Sequence, residues 1–247
     1  MTGATPFVLV HPDAASVAAM AAGRVLASVQ EALALRGTAH VALTGGSMGS
    51  ALVAALADHP QRGVVDWSRV HVWWGDERYL PTGDPDRNDT QNDEAGLSTL
   101  GLAREHVHRV AGPDASTSPE ESAALYEAAL REHGSGRWDV VLLGVGPDGH
   151  VASLFPGHPA QLVDDVLAVA VHDSPKPPPT RVSLTLTCLG NAREVWFVVA
   201  GGDKAEAVAK GVSGAPAAES TAAQLRGDGR VGWLVDEAAA AALPASS

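Results

Sequence analysis

The chain has 247 residues, 45% of them hydrophobic and 19% charged, and 17 basic against 29 acidic side chains give a formal net charge of −12. That is the make-up of a globular protein able to bury a core without staples, and so acidic a chain is a poor partner for a polyanionic backbone. Nucleic acid is excluded; a small anion is not, because a few aimed donors hold one phosphate whatever the overall charge. The single cysteine, Cys188, rules out an intramolecular disulfide framework and points to a reducing compartment. No apolar run approaches the roughly 20 residues that cross a bilayer, and the N-terminus lacks the basic start and apolar core of an export signal. A cytoplasmic protein with no membrane partner is expected.

In chain order, short Val-, Leu- and Trp-rich runs alternate with longer Ala-rich segments at helical spacing, the pattern of βα units around a parallel sheet. Strands are predicted at residues 7–10, 41–44, 70–74, 140–143, 167–171, 182–186, 195–200 and 231–235. Helices are predicted at 14–36, with Asp13 as cap and Gly37 as stop, and at 50–57, 119–133 and 203–210. Pro119 suits a first helical turn, where its missing N–H has no partner to lose. Residues 81–92 and the proline-rich 174–180 read as loops, the part of an α/β scaffold where function tends to sit. No repeat and no composition break marks a linker, so residues 1–247 are read as one domain.

Four segments carry chemistry. In Val41-Ala-Leu-Thr-Gly-Gly-Ser-Met-Gly-Ser50 a strand runs through glycines into a helix, so Gly45, Gly46 and Ser47 can present backbone N–H groups and a helix N-terminus to a phosphate. Such turns are also common for geometric reasons alone, and this one matches neither the P-loop nor the dinucleotide spacing. In Val72-Trp-Trp-Gly-Asp-Glu-Arg-Tyr79 a buried strand ends in Asp76, Glu77 and Arg78, charges that either face a ligand crevice or form a solvated turn. Gly144-Val-Gly-Pro-Asp-Gly-His150 places Asp148 and His150 close together after a buried strand. A histidine there can take a proton from water near neutral pH. Finally, Arg181 follows a rigid proline segment, and Lys204 opposes the dipole of the helix it begins, which is reasonable if an anion lies between them. Taken singly, either cation reads as a surface charge.

Metal binding has little support, because the ten histidines are scattered and show no zinc-site spacing. His106 and His108, two apart on an expected short strand, share a face without a third ligand. Trp73, Trp196 and Trp233 read as core packing.

Taken together and in this order, the segments resemble the 6-phosphogluconolactonase family, which sits with the glucosamine-6-phosphate deaminases and ribose-5-phosphate isomerases in one α/β superfamily. Its most specific piece is Gly144-Val-Gly-Pro-Asp-Gly-His-Val-Ala-Ser-Leu-Phe-Pro-Gly157, supported by Trp74-Gly-Asp-Glu-Arg78, Asp84-Pro-Asp-Arg-Asn88 and Pro177-Pro-Pro-Thr-Arg181. The resemblance implies a Rossmann-like, mostly parallel central sheet flanked by helices. It also implies hydrolysis of 6-phospho-D-glucono-1,5-lactone to 6-phosphogluconate in the oxidative pentose phosphate pathway, with no cofactor or metal. It gives His150 the role of general base on water, oriented by Asp148. Gly45, Gly46 and Ser47 become the phosphate-side loop, Arg78 and Arg181 substrate-contacting cations, and Asp76 and Lys204 further binding residues. The partner implied is a small sugar-phosphate lactone, met by a monomer or weak homo-oligomer. One departure stands out: where the family often reads Gly-Gly-Ser-Thr-Pro, Ser47 is followed by Met48 and Gly49, and a hydroxyl is lost. Two rivals stand beside it: an amino-sugar-phosphate deaminase or sugar-phosphate isomerase on the same fold, and, from another class, a non-catalytic sugar-phosphate sensor. An amino-sugar-phosphate deaminase typically continues with Asn-Glu-Pro-Gly where this chain has Ser153-Leu-Phe-Pro-Gly157, and a non-catalytic sugar-phosphate sensor would have no need of His150.

Overall fold

The computed structural model of the chain describes residues 7–134, 137–227 and 229–244. The first half comprises β1 (Phe7–His11), α1 (Ala14–Arg36), β2 (Ala39–Leu43), α2 (Gly46–Ala57), β3 (Val70–Trp74) and, after the single residue Gly75, β4 (Asp76–Arg78). There follow α3 (Asn88–Glu94), α4 (Pro119–His133), β5 (Trp138–Leu143), β6 (Ala168–Val171), β7 (Arg181–Leu184), α5 (Leu186–Gly190), β8 (Ala192–Val199), α6 (Ala205–Ser213) and β9 (Arg230–Asp236). Six strands form one sheet in the order β1-β9-β8-β5-β2-β3, each neighbouring pair parallel. From β2 the chain moves out to β3 at one edge, whereas from β5 it moves through β8 to β9 on the other side. The carboxyl ends of β2 and β5 therefore flank a crevice, the point at which such sheets bind ligands.

Alternate residues along each strand enter opposite layers, as the two-residue repeat requires. Val41, Leu43, Val140, Leu142 and Trp196 pack with α1 and α2, while Ala42, Val141, Leu143, Val195 and Phe197 pack with α4, α6 and a second, smaller sheet. Burial on both faces accounts for the near-continuous apolar runs, and Trp73, Trp196 and Trp233 are core residues as expected. Asp13 caps α1 by accepting from the Ser16 N–H at 2.8 Å, and Gly37 ends it with a left-handed φ of 79°. By length and composition alone α1 is long and apolar enough to cross a membrane, although Arg24, Gln30 and Glu31 interrupt its apolar run. Its Val17, Ala21, Val25 and Val29 are spent on the core shared with α2.

Several elements differ from the sequence reading. β6 and β7 leave the parallel array and join β4 in an antiparallel sheet of order β4-β7-β6. Alternation marks a strand but not its partner, and the proline segment joining these two is too short for a parallel crossover. β7 stops at Leu184, because Thr185 accepts from the Cys188 N–H at 3.3 Å and caps α5. α2 begins at Gly46, so the glycine turn is itself the helix's first turn, and α6 begins at Ala205 after a 3-10 turn over Gly202–Lys204. α3 occupies part of the segment read as loop.

A buried carboxylate explains α3. Glu77 accepts the N–H groups of Arg78 and Asn88 on Oε1, at 2.8 and 2.7 Å, and that of Asp89 on Oε2 at 2.9 Å. Burial and then the neighbouring Asp89 raise its carboxyl above the ordinary value, against the pull of Arg87 and of the Asn88 and Asp89 N–H groups. Arg87 grips Asp89 through Nε and Nη2, at 2.8 and 2.9 Å, and donates to the carbonyls of Leu80 and Val110. Three backbone donors thus depend on one side chain. Glu77→Ala should lower stability by about 3 kcal/mol or more, seen as a fall in the urea midpoint; an unchanged midpoint would refute the clamp.

At the opposite end of the sheet, five histidines stack. His71 lies 4.5 Å from His40 and 3.9 Å from His106, and His108 lies 5.2 Å from both His71 and His133, ring centre to ring centre. His71 Nδ1 and His108 Nε2 are 2.9 Å apart. His106 closes a 3-10 turn and Val107 makes only an isolated bridge to Val72, so the short strand expected there is absent although both rings join one stack. Burial and then the neighbouring imidazoles push His40 and His71 down to about 4 and His108 to about 3. The unfolded chain, with histidines near 6.5, takes up protons first. Stability should therefore fall as pH drops from about 6.5 to about 4, by up to about 1.4 kcal/mol per pH unit for each histidine. Urea midpoints that do not move between pH 7.5 and 5 would contradict this.

Candidate active site

Thr44 joins the two sides of the crevice, its Oγ1 accepting from the Gly144 N–H at 3.2 Å. After β2 the chain passes Gly45, which is extended and offers no side-chain cap, so the first N–H groups of α2 are left to the cleft that Gly45, Gly46 and Ser47 line. A Cβ on Gly45 would come within 1.8 Å of Asn88 Oδ1, so no larger residue fits.

After β5 a tight turn holds the histidine. Gly146 N–H donates to the His150 carbonyl and Gly149 N–H to that of Gly146, each at 2.9 Å. A Cβ on Gly146 would stand 2.1 Å from the imidazole, so this glycine is what lets the ring fold back over its own loop. His150 Nδ1 lies 2.5 Å from Asp148 Oδ1, and the ring leans on Phe155 at 4.4 Å. Burial alone would raise the Asp148 carboxyl, yet the His150 hydrogen bond and the charges of His150 and Lys176 hold it well below the usual range. An ionised Asp148 can only accept, so Nδ1 carries the proton and the Nε2 lone pair is left to the cleft. Lys176 Nζ reaches the same carboxylate oxygen at 3.5 Å. Ala152, in the cleft wall, has a φ of 49°, a conformation costly for any residue but glycine.

Beneath this, Asp76 is buried. Its Oδ2 accepts from Ser153 Oγ at 2.6 Å, its Oδ1 from Asn88 Nδ2 at 3.3 Å, and Arg181 Nη1 lies 3.9 Å away. Arg181 also donates to the carbonyls of Pro178, Lys176 and Pro177 at 3.0, 3.0 and 3.2 Å, which pins the proline segment to the cleft. Arg78 Nη1 donates to the Asp86 carbonyl at 2.6 Å, while its buried Nε has no partner. Lys204 lies 3.1 Å from Asp203.

Gly45, Gly46, Ser47, Asp76, Arg78, His150, Arg181 and Lys204 thus line one cleft of about 380 Å³, with Asp148 behind His150. Glu77, in the same charged triplet as Asp76 and Arg78, does not belong to it. Asn88, Lys176 and Thr44 line the cleft too and were given no role from the sequence. Lys176 sat in a segment flagged as a functional loop, and Asn88 closes the Asp84–Asn88 motif. A larger cavity of about 530 Å³ opens at the other end of the sheet, between His40, Trp138, Cys188 and Arg226. Among the described residues that line it there is no carboxylate, and the neighbouring Asp139 accepts the backbone N–H of His40 at 2.9 Å, so the smaller cleft is the one equipped for acid–base chemistry. Among the described residues no group of three or more His, Cys, Asp and Glu side chains is placed to hold a metal ion.

The family model described as glucosamine-6-phosphate isomerases/6-phosphogluconolactonase matches residues 12–233. The 6-phosphogluconolactonase of Streptomyces coelicolor is 48% identical over 251 residues, 98% of this chain and 96% of its own length. The structure of 6-phosphogluconolactonase from Trypanosoma brucei superposes with a TM-score of 0.83 at 25% identity, covering 97% of this chain and 99% of that one. A monomeric glucosamine-6-phosphate deaminase superposes with a TM-score of 0.80 at 18% identity, over 96% of this chain and 99% of that one, a likeness of fold alone. With the family model spanning most of its length and a near full-length relative at almost half identity, the chain belongs to the glucosamine-6-phosphate isomerase/6-phosphogluconolactonase family.

Proposed function

We propose that this protein hydrolyses 6-phospho-D-glucono-1,5-lactone to 6-phospho-D-gluconate, the lactone step of the oxidative pentose phosphate pathway, with His150 as general base. The observation that carries the reading is the pairing in one cleft of a histidine whose Nδ1 is engaged by an ionised carboxylate with an uncapped helix start and four cationic side chains. The name of the 48% identical relative supports the substrate. No carboxylate occupies the segment Ser153-Leu-Phe-Pro-Gly157, where Leu154 and Phe155 are buried, which disfavours the proton shuttling of an amino-sugar-phosphate deaminase.

The phosphate lies on the N–H groups of Gly45, Gly46 and Ser47, whose dipole end favours an anion and for which Met48 supplies no hydroxyl. Lys204, Arg78 and Arg181 complete the binding side, with Asp76 bracing Arg181. His150 Nε2 takes a proton from water as its oxygen bonds to C1, and the resulting imidazolium is stabilised by Asp148. The tetrahedral intermediate collapses by breaking the bond between C1 and the ring oxygen, which takes the proton back from Nε2. The products are the carboxylic acid, ionised at neutral pH, and the freed hydroxyl. A δ-lactone is already an activated ester, so no covalent nucleophile is needed. A positioned base supplies about 10²–10⁴-fold, or roughly 3–5 kcal/mol, and binding of the remote phosphate supplies further acceleration.

The same reading takes residues 1–247 as one lactonase domain acting in the cytoplasm, as a monomer or weak homo-oligomer, without cofactor, nucleic acid or membrane. Parallel pairing of β1 with β9, from opposite ends of the chain, supports the single domain.

Freshly generated 6-phosphogluconolactone should be hydrolysed far faster than the buffer rate with a chelator present, and unphosphorylated gluconolactone much more slowly; turnover no better than buffer would sink the proposal. His150→Ala should lower kcat by about 10²–10⁴-fold with little change in KM. Arg181→Ala should raise KM for the phosphorylated lactone, and unchanged kinetics would take Arg181 out of the site.

A further inference from the structure

The amide of Asn88 ends in an acceptor that nothing in the protein satisfies. Its Nδ2 donates to the Asp76 carbonyl at 2.8 Å and to Asp76 Oδ1 at 3.3 Å. Both partners are acceptors, so turning the amide over would set oxygen against oxygen, and Oδ1 is fixed on the other side. There it is buried and has no hydrogen-bond partner. It lies against Gly45, at the position a Cβ would need, and Asn88 lines the cleft beside Gly45, Asp76 and Arg78. The N–H groups of Asn88 and Asp89 both go to Glu77 and are not free to satisfy it. An amide oxygen taken out of water without a donor is unfavourable by itself, and an acceptor kept in that state beside a cleft is suited to a ligand that brings the donor.

We propose that Asn88 is a specificity-determining residue whose Oδ1 accepts a hydrogen bond from a ring hydroxyl of the sugar lactone. The proposal rests on the lactonase reading and names one further recognition contact within it. The ligand group follows from the chemistry of the substrate. A phosphate dianion and a lactone carbonyl only accept, so of the groups on this molecule only the hydroxyls can satisfy a lone acceptor. Gly45 then has a second task besides opening the phosphate loop, since any side chain there would displace the amide that reads the sugar.

The test compares kcat/KM of the full chain and of Asn88→Ala on 6-phosphogluconolactone and on its 2-, 3- and 4-deoxy counterparts, each made in place by oxidation of the matching hexose 6-phosphate. Thermal unfolding confirms that the variant folds; if it does not, Asn88→Ser goes through the same comparison. The native protein should lose about tenfold or more on one deoxy lactone. Asn88→Ala should lose a similar factor on the parent lactone yet nothing further on that analogue, while its ratios for the other two stay native. The proposal is overturned if the two losses multiply, if the variant falls by one factor on all four lactones, or if the native protein disfavours none of the deoxy compounds. A native protein that leaves the parent lactone unhydrolysed overturns the lactonase reading itself, a result distinct from native turnover with multiplied losses.

Discussion

The cleft depends on β2 and β5 lying side by side while the chain leaves them in opposite directions. Two parallel neighbours whose following segments both crossed to the same side would close over each other. Here the turn after β2 swings into α2 and the turn after β5 swings towards Phe155, and the gap between them is held at its base by Thr44 and Gly144. Most of the polar groups that converge on the gap are hung from one of these turns or from the small sheet that begins immediately beyond Gly75, while Asn88 comes from the start of α3 and Lys204 from the turn after β8. Gly75 makes that second attachment rigid, because its N–H binds the Leu43 carbonyl at 2.9 Å and its carbonyl accepts from Leu184 at 2.8 Å. The parallel sheet and the antiparallel one are thus stitched together at a single residue next to the site.

Charge is distributed against the overall balance. The protein carries −12, yet the cleft wall combines Arg78, Lys176, Arg181 and Lys204 with the single carboxylate Asp76. A local cationic field in a concave, partly dry site attracts an anion irrespective of the net charge. The cations are not loose: Arg181 is held by three carbonyls, Lys176 by Asp148 and Lys204 by Asp203. Arg181 joins the cleft to its framework. The guanidinium that borders the cleft also fixes the segment carrying Lys176, and Lys176 in turn touches the Asp148 carboxylate that lies against His150 Nδ1. A change at any one of these positions reaches the imidazole through fixed neighbours.

How much was legible in the sequence follows from what lies close along the chain. Asp148 and His150 are two residues apart inside one glycine turn, so their pairing is local and could be read directly. The βα alternation, the caps of α1 and the glycine loop are local as well, and all reappear. The partners of β6 and β7 were out of reach, because alternation fixes a strand's faces and not its neighbour. α3 was missed because its start is stabilised by Glu77, a residue on a different element, and not by its own periodicity. Within the charged triplet, the pleat sends Asp76 and Glu77 to opposite sides, so one belongs to the cleft and the other to the clamp. The importance of Asn88 appears only where Gly45, distant in sequence, lies against it.

The placement of β1 bears on how the molecule is made. It sits at the edge of the central sheet and pairs with β9 alone, Phe7 opposite Gly232 through His11 opposite Asp236. β1 thus has no sheet partner until β9 has emerged, the most non-local pairing in the sheet. β2, β3 and β5, by contrast, pair across much shorter stretches of chain. β1 therefore completes the edge of the sheet through its longest loop, the pairing with the most closure entropy to overcome.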